Sequence, residues 1–280
     1  MTLARSATLS QAPQANFMYR TPTLAWLLTV ILCSSVQAAP PVLRLCYEVD
    51  EGMPFVADAH QQPPGLLLEL VMAAAEQAEI KLEFQRLPWK RCIYQLQNGQ
   101  SDGVFPAIWQ ADRDAWGQFP GRDVTLGRQA DHNYRLWQGN YHVITRSNSP
   151  LKWDGQRFSG LQHGLTAPLG YVATQRLHAL GGLSTSAPHA PERALKLVAL
   201  GRLDGYILEH LIGTAYLRRL ALQDDLIFLP QPFLQADWHL PLSHTFFRQH
   251  PDLAQHFWNA LRTQREQRDI ELTKRYLGPL

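Results

Sequence analysis

The chain has 280 residues, 45% hydrophobic and 18% charged, the composition of an ordinary folded protein of two domains or one large one. Lys and Arg number 26 against 24 Asp and Glu. So even a balance leaves no basic field to hold nucleic acid or an anionic membrane surface.

Residues 1–38 differ from the rest, with Arg5 and Arg20, no acidic residue, and an apolar run from Leu24 to Cys33. Ser34-Ser-Val-Gln-Ala38 follows, with small residues suited to cleavage. This is the pattern of a secretory signal peptide cut after Ala38 or Ala39. The run is shorter than the roughly 20 residues a membrane helix needs. The leader is long, and a start at Met18 instead of Met1 gives a more usual signal. Without its two arginines the mature chain is formally neutral, 24 basic against 24 acidic residues, and is expected to be soluble and exported to the periplasm.

In the mature chain a strand is expected over 42–48, a turn-rich loop over 50–64, a Leu- and Ala-rich helix over 65–80 and an alternating strand over 81–87. A helix then begins at Pro88, with Trp89, Cys92, Ile93 and Leu96 on one face and a stop at Asn98-Gly99. Residues 103–109 read as one buried strand, with Asp112 and Arg113 just beyond it. Alternating strands and helices argue for a mostly parallel sheet with crossover helices. Ligands of such sheets sit at the carboxyl ends of strands. An arginine delivered there holds a carboxylate through two parallel hydrogen bonds. The plainer alternative is an ion pair with a surface carboxylate.

A strand at 141–145 opens a second α/β run, with strands at 160–167, 203–208 and 226–229 and helices at 170–180, 191–200 and 209–222. An extended connector over 237–244 leads to a polar helix over 251–276. Asn98-Gly-Gln-Ser-Asp-Gly-Val-Phe and Leu200-Gly-Arg-Leu-Asp-Gly-Tyr-Ile echo each other, the first leading to Arg113 and the second to Glu209. Two similar lobes with opposite charges suggest a cleft for a zwitterion, although Asp-Gly entries to strands are also common turn chemistry. Cys46 and Cys92 are the pair left after signal cleavage, and export to an oxidising compartment favours a bridge over two buried thiols. Neither G-x-S-x-G nor H-E-x-x-H occurs, and the 11 histidines are scattered without metal-ligand spacing.

Taken together, Met53-Pro-Phe55, Gly65, Pro88-Trp89, Leu96-Gln-Asn-Gly99, Asp102-Gly103, Asp112-Arg113, Gly170-Tyr171, Leu200 to Gly205 with Glu209, and the closing His250-Pro-Asp-Leu253 and Lys274 to Gly278 resemble the bacterial extracellular solute-binding proteins of family 3. The resemblance implies an α/β, two-lobed type II periplasmic binding protein fold with two crossing hinge segments, near 136–141 and 233–239. Lobe 1 would comprise 39–138 plus 238–280, and lobe 2 would comprise 139–237. It also implies that Arg113 binds a ligand carboxylate, Glu209 a ligand ammonium, and the backbone of Gly170, Tyr171 and Val172 the ligand's anionic end. Phe55, Trp89 and Trp109 would form aromatic walls. Ala107 and Trp109 stand where the family usually carries Ser and Thr, and Glu209 replaces a more usual Asp.

The implied function is capture of an amino acid or small carboxylic acid by a monomer, without cofactor or metal, for the membrane permease of an ABC importer. A sensor reporting to a membrane receptor and a secreted dehydratase-like enzyme are the alternatives on the same fold.

Overall fold

The computed structural model describes residues 40–50, 52–182 and 190–278, besides Gln14. The expected signal peptide and its cleavage site lie outside the described residues. Among the described residues no helix is long and apolar enough to cross a membrane.

In the first part of the chain β1 (Val42–Glu48) is followed by α1 (Leu66–Gln77), β2 (Lys81–Leu87), α2 (Trp89–Gln97) and β3 (Gly103–Val104). β1 is the middle strand of a three-stranded parallel sheet, with β2 on one side and β3 on the other. Such a strand is covered on both faces, and Leu43, Leu45, Cys46 and Tyr47 are all buried. α1 starts at Gly65, whose φ of 115° suits glycine alone, and a Cβ there would meet the Phe55 carbonyl oxygen at 2.5 Å. α2 buries the expected face of Trp89, Cys92, Ile93 and Leu96, with Pro88 as its N-cap.

The strand expected over 103–109 is in fact two. β3 ends before Phe105, and β4 (Ala107–Ile108) joins a different sheet. Pro106, which has no N–H for a ladder, stands at the break.

The second sheet is mixed, which departs from the mostly parallel expectation. Its members are β4, β5 (Trp137–Arg146), β8 (Leu165–Thr166), β9 (Gly205–Glu209), β10 (Leu226–Phe228) and β11 (Leu234–His239). Between them lie a small hairpin of β6 (Lys152–Trp153) and β7 (Phe158–Ser159), then α3 (Val172–Ala179), α4 (Pro191–Ala199) and α5 (His210–Arg219). The order is β4-β11-β5-β9-β8, with β10 paired to β5. Only β8 runs parallel to β9, whereas β5 is antiparallel to β9, β10 and β11. The two segments expected to cross between lobes are thus neighbours, pairing from Leu234 opposite Tyr141 to Trp238 opposite Trp137. The strand expected over 160–167 shrinks to two residues.

The connector after β11 contains α6 (His244–Gln249), capped by Ser243, whose hydroxyl accepts from the Phe246 N–H at 3.0 Å. α7 (Pro251–Leu277) closes the chain close to its expected bounds. The largest core joins α1, the β1 face, β5 and α7, and includes Leu67, Val71, Phe105, Tyr141, Phe257 and Trp258. Cys46 on β1 and Cys92 on α2 are bridged, with Cα atoms 5.4 Å apart.

The two Asp-Gly echoes share a structural role. The Asp102 carboxylate accepts from the Arg44 backbone N–H at 2.8 Å and from its guanidinium at 2.7 Å. Asp204 accepts from the N–H groups of Gln162, His163 and Gly164, each at 2.7 Å. Each aspartate therefore ties the entry of its strand to neighbouring backbone.

Candidate functional site

The second sheet brings the two charged residues singled out in the sequence into one cleft. Ile108 on β4 pairs with Trp238, Trp238 is on the strand next to β5, and Tyr141 on β5 lies opposite Glu209 at the end of β9. A short 3-10 turn, Ala111–Ala115, carries Arg113 back towards this line of residues. The resulting cleft encloses about 820 Å³, counting solvent at its mouth, and both Arg113 and Glu209 line it.

Arg113 is 2% exposed. Its Nη1 donates to the Ile108 carbonyl at 2.9 Å and its Nη2 to the Gly170 carbonyl at 3.1 Å. Its Nε has no acceptor among the described residues. The guanidinium lies 4.2 Å from the centre of the Trp116 ring. Burial lowers its pKa to about 10, only partly opposed by the nearby Asp112 charge. Its bonds go to backbone carbonyls and not to the surface carboxylate of the plainer alternative.

Glu209 is also 2% exposed and serves as the N-cap of α5. Its Oε2 accepts from the N–H groups of Leu211 at 2.8 Å and Ile212 at 3.0 Å. Those bonds favour the carboxylate, yet desolvation outweighs them and pushes its pKa up to about 7. Tyr141 lies within the field of both charges. Its hydroxyl accepts from Trp238 Nε1 at 3.0 Å, and burial followed by the Glu209 charge raises its pKa.

The other expected residues divide. Phe55, Trp89, Tyr171 and Val172 line the cleft. Tyr171 is the N-cap of α3, and its ring meets Trp89 edge to face at 6.4 Å. Gly170, with φ 85°, meets Arg113 through its carbonyl and not through an N–H. Ala107 is in the core around the Cys46–Cys92 bridge, away from the cleft lining. Trp109 is turned aside: its Nε1 donates to Asp114 at 2.9 Å, and Arg122 lies over its ring at 5.2 Å.

Sequence reasoning missed Tyr141, Trp238, Glu48 and Asp50, all of which line the cleft. Glu48 carried a usable signal, since it is a charge at the carboxyl end of β1. Trp238 carried none, because its segment read as a connector.

The chain belongs to the bacterial extracellular solute-binding proteins, family 3, whose family model matches residues 43–278. No curated protein matches significantly. Among solved structures, a histidine kinase sensor domain with similarity to periplasmic binding proteins is similar at 18% identity and a TM-score of 0.68, covering 86% of this chain and 97% of that one. An ancestral arginine-binding protein bound to arginine is 14% identical with a TM-score of 0.67, over 86% of this chain and 100% of that one. An ancestral amino acid-binding protein, a precursor of cyclohexadienyl dehydratase, is 17% identical with a TM-score of 0.63, over 84% and 95% of the two chains. At these identities the likeness establishes the type II periplasmic binding protein fold and nothing finer.

Proposed function

We propose that the protein captures a small solute bearing a carboxylate and an ammonium, and presents it to the permease of an ABC importer. The observation that carries this reading is the placement of Arg113 and Glu209, both buried and both lining one cleft. Arg113 receives the carboxylate, exchanging its bond to the Gly170 carbonyl for charge-assisted ones. Glu209 receives the ammonium on the carboxylate already fixed by the N-terminus of α5.

Residues 39–138 plus 238–280 act as one lobe and 139–237 as the other, with β5 and β11 as the crossing strands. A ligand held mainly by one lobe gains contacts from the second, which shifts an open–closed equilibrium towards closure. Export after removal of residues 1–38 places the monomer in the periplasm, where the closed form is what the membrane partner recognises.

One observation favours an enzymic alternative: a glutamic acid poised near pH 7 has the acidity of a general acid. Pairing with a ligand ammonium uses the same carboxylate without requiring a reaction, and is the simpler role. The test is a thermal-shift screen of the protein, refolded to strip bound solute, against amino acids and small carboxylic acids. At a hundredfold excess over Kd a ligand adds about 2.7 kcal/mol of stability. A shift with amino acids supports the reading. A shift confined to acids without an amino group removes the ammonium role from Glu209, and conversion of a bound acid to product establishes the enzyme instead.

A further inference from the structure

Tyr141 carries a hydrogen-bond donor that the fold does not use. The residue is 4% exposed and lines the cleft with Arg113 and Glu209. An indole N–H can only donate, so the 3.0 Å bond from Trp238 Nε1 takes the phenol oxygen as acceptor and leaves its O–H free. Among the described residues that O–H has no acceptor. Burial, followed by the Glu209 charge, raises the Tyr141 pKa, so the proton stays on the oxygen at any working pH.

The strands hold this hydroxyl in place. Tyr141 on β5 is opposite Glu209 of β9 on one side and Leu234 of β11 on the other. Trp238 reaches it across Gly139, where a Cβ would meet the indole Nε1 at 2.6 Å. The indole in turn meets the Phe55 ring edge to face, with centres 5.0 Å apart. Service as an acceptor for Trp238 accounts for the phenol oxygen but not for its proton, and a buried donor without an acceptor is costly. Glu209 is its neighbour in register, but the Glu209 Oε2 accepts from the Leu211 and Ile212 N–H groups and not from the phenol. The other charge acting on Tyr141 is Arg113, whose Nε also has no acceptor among the described residues. Two unused donors in one cleft suit a group with two acceptor oxygens. An ammonium offers none.

We propose that Tyr141 is a specificity-determining residue, donating its O–H to one oxygen of the ligand carboxylate while Arg113 holds the other, with Gly139 and Trp238 orienting the phenol. The inference rests on the carboxylate clamp at Arg113 proposed above. It fixes which end of the ligand faces which charge, the carboxylate towards Tyr141 and Arg113 and the ammonium towards Glu209.

Tyr141→Phe removes the O–H and keeps the ring. The test is binding of the twenty common L-amino acids, and of the primary amide of each that binds, to refolded wild type and variant, read by thermal shift and calorimetry. A hydrogen bond to a charged group outweighs one to a neutral group, so the dissociation constant is expected to rise about tenfold or more for the amino acid and about threefold for its amide. The preference for acid over amide therefore shrinks. An unchanged preference, through equal loss of both or loss of neither, overturns the role of Tyr141 and leaves the Arg113 clamp standing. Equal loss is also what a purely structural phenol, or one acting through Glu209, would produce. A second readout is the near-ultraviolet tyrosine difference spectrum on addition of the bound amino acid. It is expected to differ between the two proteins, and an identical spectrum overturns the role. Binding of no amino acid to the wild type overturns the clamp and the role together.

Discussion

Arg113→Met separates the cost of a buried charge from its use. Burial lowers the guanidinium pKa from its ordinary value to about 10. Each unit is worth about 1.4 kcal/mol, so holding the charge in the folded state without a carboxylate costs about 3 kcal/mol. The sign is set by the direction of the shift: a lowered arginine pKa is a cost present at every pH below about 10. Methionine removes that cost but strands the carbonyls of Ile108 and Gly170, at about 1–3 kcal/mol each. The opposing effects leave the unliganded variant within a few kcal/mol of the wild type. Binding has no such offset, since truncating one partner of a buried charge pair costs about 2–5 kcal/mol. Dissociation constants are then expected to rise by about thirtyfold to several thousandfold. Calorimetric titration at pH 7 with the tightest binder from the thermal-shift screen reads the affinity, and urea unfolding of the unliganded protein reads the stability. A dissociation constant within threefold of the wild-type value refutes the clamp.

Glu209 and His239 give opposing pH dependences. Burial raises the Glu209 pKa from 4.5 to about 7, so the native state binds the extra proton and stability falls by about 3 kcal/mol as pH rises through that window. Burial lowers the His239 pKa from 6.5 to about 4, so the unfolded state binds the extra proton and stability falls by about 3 kcal/mol as pH drops from 6.5 to 4. The two largely cancel between about 4.5 and 6.5, and Glu209→Gln is expected to expose the acid sensitivity of His239 in unfolding curves taken across that range; an unchanged profile contradicts the assignment. Ligand binding should release a proton near pH 7, because an ammonium stabilises ionised Glu209, and titrations in two buffers of different ionisation enthalpy detect it. Replacing Cys46 and Cys92 by Ala is expected to cost up to roughly 4 kcal/mol in the chain-entropy treatment of a loop this long, measured by urea unfolding. Gly65→Ala should destabilise by more than about 1 kcal/mol, given its φ of 115° and the 2.5 Å approach to the Phe55 carbonyl, and a neutral effect on the urea midpoint contradicts the packing described.

Most of the first sheet was legible in the sequence because its elements announce themselves locally. β1 is a short, largely apolar run, the β2 bounds follow from alternation, and α2 follows from one face of four apolar residues ended by Asn98-Gly99. What failed depended on partners far along the chain. Residues 103–109 look like one apolar strand, but β3 pairs with β1 and β4 with β11. The two-residue β8 is defined by its neighbour β9 more than by its own composition.

The site divides in the same way. Arg113 and Glu209 follow parallel Asp-Gly entries, and both line the cleft. Trp109 does not, since spacing cannot tell which way an indole turns, and Asp114 with Arg122 draws it from the cleft. Tyr141 and Trp238 meet across 97 residues of sequence, through a bond that no local pattern announces.

The most direct test of the account is a crystal structure of the protein with the tightest binder from the screen. The expected result places the ligand carboxylate within hydrogen-bond distance of Arg113 and its ammonium on Glu209. A ligand bound outside the cleft, or within it with its carboxylate away from Arg113, contradicts the account.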